Sequence, residues 1–227
     1  MGTATIIDSG INRKLDEYGL AIINGQVEMV DFQQAERCYV HHSSMPVALV
    51  GFASVSNVFA RGRFPKTTFF QLIQKRPSMD EIEARTLAAV CGVALPERYW
   101  QDKQAFGHKL WDLIERYELD PFFQRLEKRY GAEGDHYLMR PRRFEWGTPG
   151  ERELPKVLDQ WRKDYRTRSE VHQLMIATIM QLYMSRDEKY WMVRVNKGGL
   201  AADAISTLHT AGALHDWAGL YCRYTDW

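Results

Sequence analysis

The chain has 227 residues, 45% of them hydrophobic and 26% charged, and a formal net charge of +1 at neutral pH. These proportions argue against a collagen-like, disordered or membrane-embedded chain, and the length allows one large domain or two small ones around a buried core. So small a net charge gives no global attraction for nucleic acid, so any such binding must come from local clusters.

The three cysteines, Cys38, Cys91 and Cys222, are odd in number and widely spaced. They suit a reducing cytoplasm better than a disulfide framework. The opening MGTATIIDSGINRKLDEYG lacks the basic segment and apolar run of a secretory signal. The apolar stretch from Met45 to Ala60 holds a proline, serines and an asparagine, and is too short to span a bilayer. A cytoplasmic protein with no membrane partner is expected.

In chain order, LAIINGQVEMVDF (20–32) places Asn24-Gly25 between two apolar runs, a strong signal for a β-hairpin. Val47 to Val50 and Arg37 to Val40 are further candidate strands. Ser78 and Glu81 have the S-x-x-E spacing of a capping box and open a helix through Val90 that stops near Cys91-Gly92. Pro96 opens the next helical pattern, with Trp100, Phe106, Leu110, Leu113 and Tyr117 on one face. Asp120-Pro121 predicts a helix ending at Gly131. Gly131 to Gly150 reads as an irregular loop. A second capping box, Thr148-Pro149-Gly150-Glu151, introduces one long helix from about Leu154 to Met184. Tyr190 to Val195 predicts a short strand, and two short helices split at Gly212 close the chain. The fold class expected is α+β, with a mixed region at 1–77 carrying a hairpin and a basic loop, and a helical domain at 78–227.

The stretch ERCYVHHSSM (36–45) is the first candidate for chemistry. A structural zinc site takes four ligands, usually as two close pairs. Cys38 with His41 or His42 makes one pair, and no second pair follows at a suitable distance. The expectation is no cofactor, with zinc the one candidate metal. His42 and Asn57 also have about the separation of the water-activating and orienting residues of HNH nucleases. The third position of that set falls near Pro65 or Lys66, and neither ligates a metal. No phosphate-binding loop, dinucleotide fingerprint, H-E-x-x-H or G-x-S-x-G occurs, so no catalytic set is expected.

Two basic-aromatic clusters carry more information. RGRFPKTTFFQLIQKRPSM (61–79) holds Arg61, Arg63, Lys66, Lys75 and Arg76, interleaved with Phe64, Phe69 and Phe70, and no acidic residue. MRPRRFEW (139–146) supplies Arg140, Arg142 and Arg143 beside Phe144 and Trp146. Guanidinium groups neutralise phosphates through paired donors, and aromatic faces stack unpaired bases. The competing explanation is that the phenylalanines fill the core and the arginines line its rim. WRKDYRTR (161–168) reads as the solvated face of the long helix. The C-terminal stripe Trp217, Leu220, Tyr221 and Tyr224 packs on the parent domain or docks another subunit.

CYVHH, followed by ASVSNVFARGRF and a helical body, resembles the compact large-subunit homologue of type IV CRISPR effector complexes over about the first 70 residues. In that family a cysteine-rich finger is followed by a segment containing serine and phenylalanine. Cys38, Tyr39 and His41 fall where the first pair of the finger would be, and Ser56, Asn57 and Phe59 where that segment would be. The second cysteine pair is absent here, which places zinc binding in doubt. The resemblance implies a non-catalytic subunit that holds the 5′ end of a guide RNA and inspects the motif flanking a DNA target, within a multi-protein complex. Arg61, Arg63, Lys66, Arg140, Arg142 and Arg143 would then contact phosphates or bases, and Asn57 a base edge. The alternatives are a metal-dependent nuclease centred on His41, His42 and Asn57, and a plasmid- or phage-encoded regulator that binds a protein.

Overall fold

The computed structural model describes residues 3–37, 45–127, 134–142, 155–184, 199–225 and 227. The chain opens with a helix, α1 (Thr3–Glu17), and then a β-hairpin, β1 (Leu20–Ile23) and β2 (Gln26–Met29). The register pairs Leu20 with Met29 and Ile23 with Gln26. Asn24 and Gly25 take φ of +52° and +78°, the two left-handed positions that a tight hairpin turn requires. Gly19, at φ +62°, ends α1 and accepts the backbone N–H groups of Val30 and Asp31. A Cβ there would lie 2.3 Å from the Asp31 carbonyl oxygen, so only glycine closes the base of the hairpin against α1.

Four helices follow, α2 (Phe32–Arg37), α3 (Met45–Val55), α4 (Asn57–Arg63) and α5 (Phe69–Ile73). Val47 to Val50 therefore lie in a helix and not in the expected strand. A continuous apolar run does not by itself distinguish a buried strand from a buried helix, and the environment decides here. Every residue from Met45 to Ala53 is buried, so α3 is enclosed on all sides, as an all-apolar helix must be. It packs on α4, on α6 (Glu81–Val90) and on α10 (Ala201–Thr210). Arg37 ends α2, and Cys38 to Val40 lie outside the described residues.

The capping box of α6 is formed by Asp80 and Glu83 and not by Ser78 and Glu81. Asp80 Oδ1 accepts from Glu83 N at 2.8 Å, and Glu83 Oε2 accepts from Asp80 N at 3.2 Å. Ser78 closes a short 3-10 turn (Arg76–Ser78), its hydroxyl donating to the Lys75 carbonyl at 2.8 Å. Helix α7 (Lys103–Arg116) begins after Asp102, which accepts from Ala105 N, and buries Phe106, Leu110 and Leu113 as the spacing predicts. Trp100, however, precedes it in a short 3-10 turn, 40% exposed, and Tyr117 follows it, half-buried. Among the described residues, the helix expected after Asp120-Pro121 does not form. Phe123–Arg125 make strand β3, paired antiparallel with β4 (Met139–Pro141). Phe122 and Phe123 are both buried, and Arg142 N donates back to the Phe122 carbonyl.

The expected long helix is two, α8 (Pro155–Arg166) and α9 (Glu170–Met184). They break at Thr167-Arg168-Ser169, where the Thr167 hydroxyl turns back to the Asp164 carbonyl and Ser169 Oγ accepts from His172 N. The strand expected at Tyr190 to Val195 lies outside the described residues. Helices α10 and α11 (Leu214–Arg223) are separated at Gly212, φ +68°, as expected. The described residues form an α+β, mainly helical fold with two small antiparallel sheets.

One hydrophobic cluster runs from Leu15 to Tyr224, crossing residue 77. Trp217, Leu220, Tyr221 and Tyr224 lie inside it, at 0 to 4% exposure, so this stripe is core and not a docking face. Trp217 Nε1 donates to Thr178 Oγ1 at 2.9 Å, and the Tyr221 hydroxyl donates to the Leu72 carbonyl at 2.9 Å. No helix among the described residues is long and apolar enough to cross a membrane.

Candidate nucleic-acid interface

Helix α4 positions the first basic cluster. Ser56 caps it, its side chain accepting from Phe59 N at 3.2 Å, and this sets Asn57 at the first turn and Arg61 and Arg63 at the last. Cations at a helix C-terminus face its unsatisfied carbonyls, which favours them there. The residues expected in a basic loop, Arg61 to Lys66, are thus the end of a helix and the turn after it. Arg61 and Lys66 are exposed, and Arg63 is half-buried.

An aromatic column underlies this edge. The rings of Phe52 and Phe59 meet edge to face at 5.2 Å, and Phe32 leans on Phe59 at 5.4 Å. The Arg63 guanidinium covers the other part of Phe59 at 5.1 Å. Phe52 is fully buried, whereas Phe32 is 56% exposed. Rings that begin in the core therefore emerge at the surface beside the arginines.

Asp203, in the first turn of α10, answers part of this charge. Arg61 makes an ion pair with it, and Asn57 Nδ2 approaches the same carboxylate oxygen at 3.5 Å. Asn57 Oδ1 is buried without a hydrogen-bond partner among the described residues. The Arg61 and Asp203 side chains are 47% and 35% exposed, so the pair is solvent-screened and weak. A phosphate could displace Asp203 from Arg61 at small cost.

The other basic residues have different tasks. Arg76 is buried, at 6% exposure. It donates to the carbonyls of Tyr221 (2.7 Å), Cys222 (3.0 Å) and Tyr224 (2.6 Å), closing the end of α11. It is an internal anchor, not a surface contact. Its neighbour Lys75 is half-buried, and burial lowers its pKa. Phe69 and Phe70 fill the core, as the competing explanation for this cluster holds. In the second cluster Arg140 donates to the Tyr137 and Met139 carbonyls and lies 5.9 Å from the Tyr183 ring centre. Arg142 is exposed, but its Nε bridges the carbonyls of Asp120 and Phe123. Arg143 and Phe144 lie outside the described residues, as do Cys38, His41 and His42.

Among the described residues, no three His, Cys, Asp or Glu side chains gather as a metal site. Burial lifts the Cys91 thiol well above its ordinary range, with Cys222 adding to the effect, and pushes Cys222 to about 12. Sequence reasoning missed Asp203 as the partner of Arg61, a contact 142 positions apart that no local pattern announces. It also missed Arg85, which the fold buries. Comparison with protein-family models, curated proteins and solved structures found no match.

Proposed function

We propose that the chain is a non-catalytic nucleic-acid-binding subunit of a cytoplasmic ribonucleoprotein, gripping phosphates at the end of α4. The observation that carries this reading is the meeting of Arg61, Arg63 and Lys66 at one helix end, over an aromatic column that surfaces at Phe32. Their donors reach phosphates, and Asn57 offers an amide to a base edge. In its sharpest form the partner is a guide RNA with its DNA target, in a CRISPR-type complex with other protein subunits, as the resemblance of the first 70 residues implies. A gel-shift or filter-binding titration across a salt series tests the reading. Arg61→Glu with Arg63→Glu should weaken binding and lower the slope of log affinity against log salt by about two, one phosphate contact per arginine. Unchanged affinity and slope would overturn it.

A second reading, a protein-interaction regulator, draws on a different observation. Six of the seven exposed large hydrophobic side chains among the described residues lie between Ile22 and Val58, including Val30 (53%), Phe32 (56%) and Val58 (77%). Apolar surface of this density commonly marks a protein contact. On this reading the purified protein shows no salt-sensitive nucleic-acid binding, and Phe32→Ser with Val58→Ser abolishes its co-purification with a partner. Salt-sensitive nucleic-acid binding that the double serine variant leaves intact would rule it out.

A further inference from the structure

A recess opens where the start of α6, the turn before α7 and the residues after α11 converge. Its volume is about 480 Å³, and Tyr99, Trp100 and Tyr224 form its aromatic wall, with Glu81 and Thr225 as polar groups. Two buried arginines build it. Arg76 holds the Tyr221 to Tyr224 carbonyls on one side, as described above. On the other, Arg85, at 6% exposure, donates to the Pro96 carbonyl at 2.9 Å and to the Glu97 carbonyl. Its guanidinium also lies 5.2 Å from the Tyr99 ring centre and 5.7 Å from that of Trp100. Both walls are thereby fixed before any ligand arrives, which lowers the ordering cost of binding.

The chemistry of the lining narrows the ligand. Trp100 stands edge-on to Tyr99 at 5.6 Å and is 40% exposed, the one large hydrophobic side chain outside 22–58 with that standing among the described residues. Its ring lines the recess while remaining partly open to solvent. Glu81 Oε1 accepts from Arg85 Nε at 2.8 Å, which holds the carboxylate in place at the lining of the recess. Thr225 Oγ1 is buried without a hydrogen-bond partner among the described residues. The two guanidiniums beneath disfavour a cationic guest and tolerate a phosphate at the rim. A purely aliphatic guest would leave the carboxylate and hydroxyl unanswered.

We infer that this cleft takes one unpaired nucleobase bearing an exocyclic amine, stacked on Trp100 with its amine edge toward Glu81. The inference rests on the nucleic-acid reading and adds to it a base-holding site separate from the phosphate grip on α4. The same full-length protein is titrated with AMP, CMP, GMP and UMP by calorimetry, and with a single-stranded RNA of about ten nucleotides. The amine-bearing nucleotides should bind better than UMP. Trp100→Ala should lower the affinity for them and for the RNA about tenfold or more, the range of one base-aromatic stack, while Trp100→Phe keeps most of it. Glu81→Gln should erase the preference over UMP, because an amide presents both a donor and an acceptor. Arg61→Glu with Arg63→Glu should weaken RNA binding while leaving the preference for AMP over UMP unchanged. RNA binding that depends on Arg61 and Arg63 but is indifferent to Trp100→Ala would overturn the cleft and leave the α4 reading standing. AMP binding that needs Trp100, with no RNA binding in the unaltered protein, would overturn the α4 reading instead.

Discussion

The two arginine-bearing regions of this molecule spend the same chemical group in opposite ways. At the end of α4, Arg61 and Lys66 are exposed, Arg61 pairs with the screened Asp203 carboxylate, and Arg63 is half-buried over the Phe59 ring. At the seam between α6 and α11, Arg76 and Arg85 are buried and give their donors to backbone carbonyls at chain ends and turns. Arg61 and Arg76 belong to one acid-free run of sequence, and only tertiary packing separates their tasks. Local charge density thus reports where arginines are, and burial reports what they are for.

The sharpest way to break this contrast is through stability. Arg76→Ala should cost about 3–5 kcal/mol in urea unfolding, because three carbonyls lose a charged donor in a buried place. A cost below about 1 kcal/mol would mean that Arg76 is not the anchor its geometry indicates. Asp216 tests the same principle with the signs reversed. Burial alone would raise its carboxyl pKa, but donation from Lys109 (2.8 Å), Arg116 (2.9 Å) and Tyr117 (3.1 Å) outweighs that and holds it below the ordinary range. A carboxyl depressed in the folded state adds stability above its unfolded pKa and loses it as the pH falls through its folded pKa. Asp216→Asn should therefore cost about 2–3 kcal/mol at pH 7, and the gap between variant and parent should narrow below about pH 4. Denaturant midpoints at pH 7 and pH 3 check both statements.

At the other end of the scale, Arg61→Gln should move stability by no more than about 0.5 kcal/mol, since the side chain is 47% exposed and its ion pair is screened. Val58→Ser should do less still, the side chain being 77% exposed. A large loss in either variant would show that the α4 edge is structural after all and would collapse the distinction.

Where a pattern was closed within a few residues, it was readable. Asn24-Gly25 specified its hairpin, and Gly92 and Gly212 marked the ends of α6 and α10, because turn chemistry is local. Apolar runs misled where burial was two-sided. Val47 to Val50 look like a strand because valines favour one, yet α3 is enclosed on every side. Asp120-Pro121 has the form of a helix start, but Phe122 and Phe123 are drawn into the core beside Trp161, and the segment pairs with Met139–Pro141 instead. The first helix carries Ile7, Ile11 and Leu15 at helical spacing, a signal present in the sequence. At the candidate interface, Asn57, Arg61, Arg63 and Lys66 were legible as a group. Their partner Asp203 was not, and neither was the Trp100 cleft, because both depend on contacts between distant segments.

The most direct test of the contrast is a salt series on two double variants measured side by side, Arg61→Glu with Arg63→Glu and Arg140→Gln with Arg142→Gln. The second pair carries guanidiniums already engaged by the carbonyls of Tyr137, Met139, Asp120 and Phe123. The account predicts that the first double variant loses about two from the slope of log affinity against log salt, while the second keeps the parent slope. Equal losses in both, or a loss confined to the second, would contradict it.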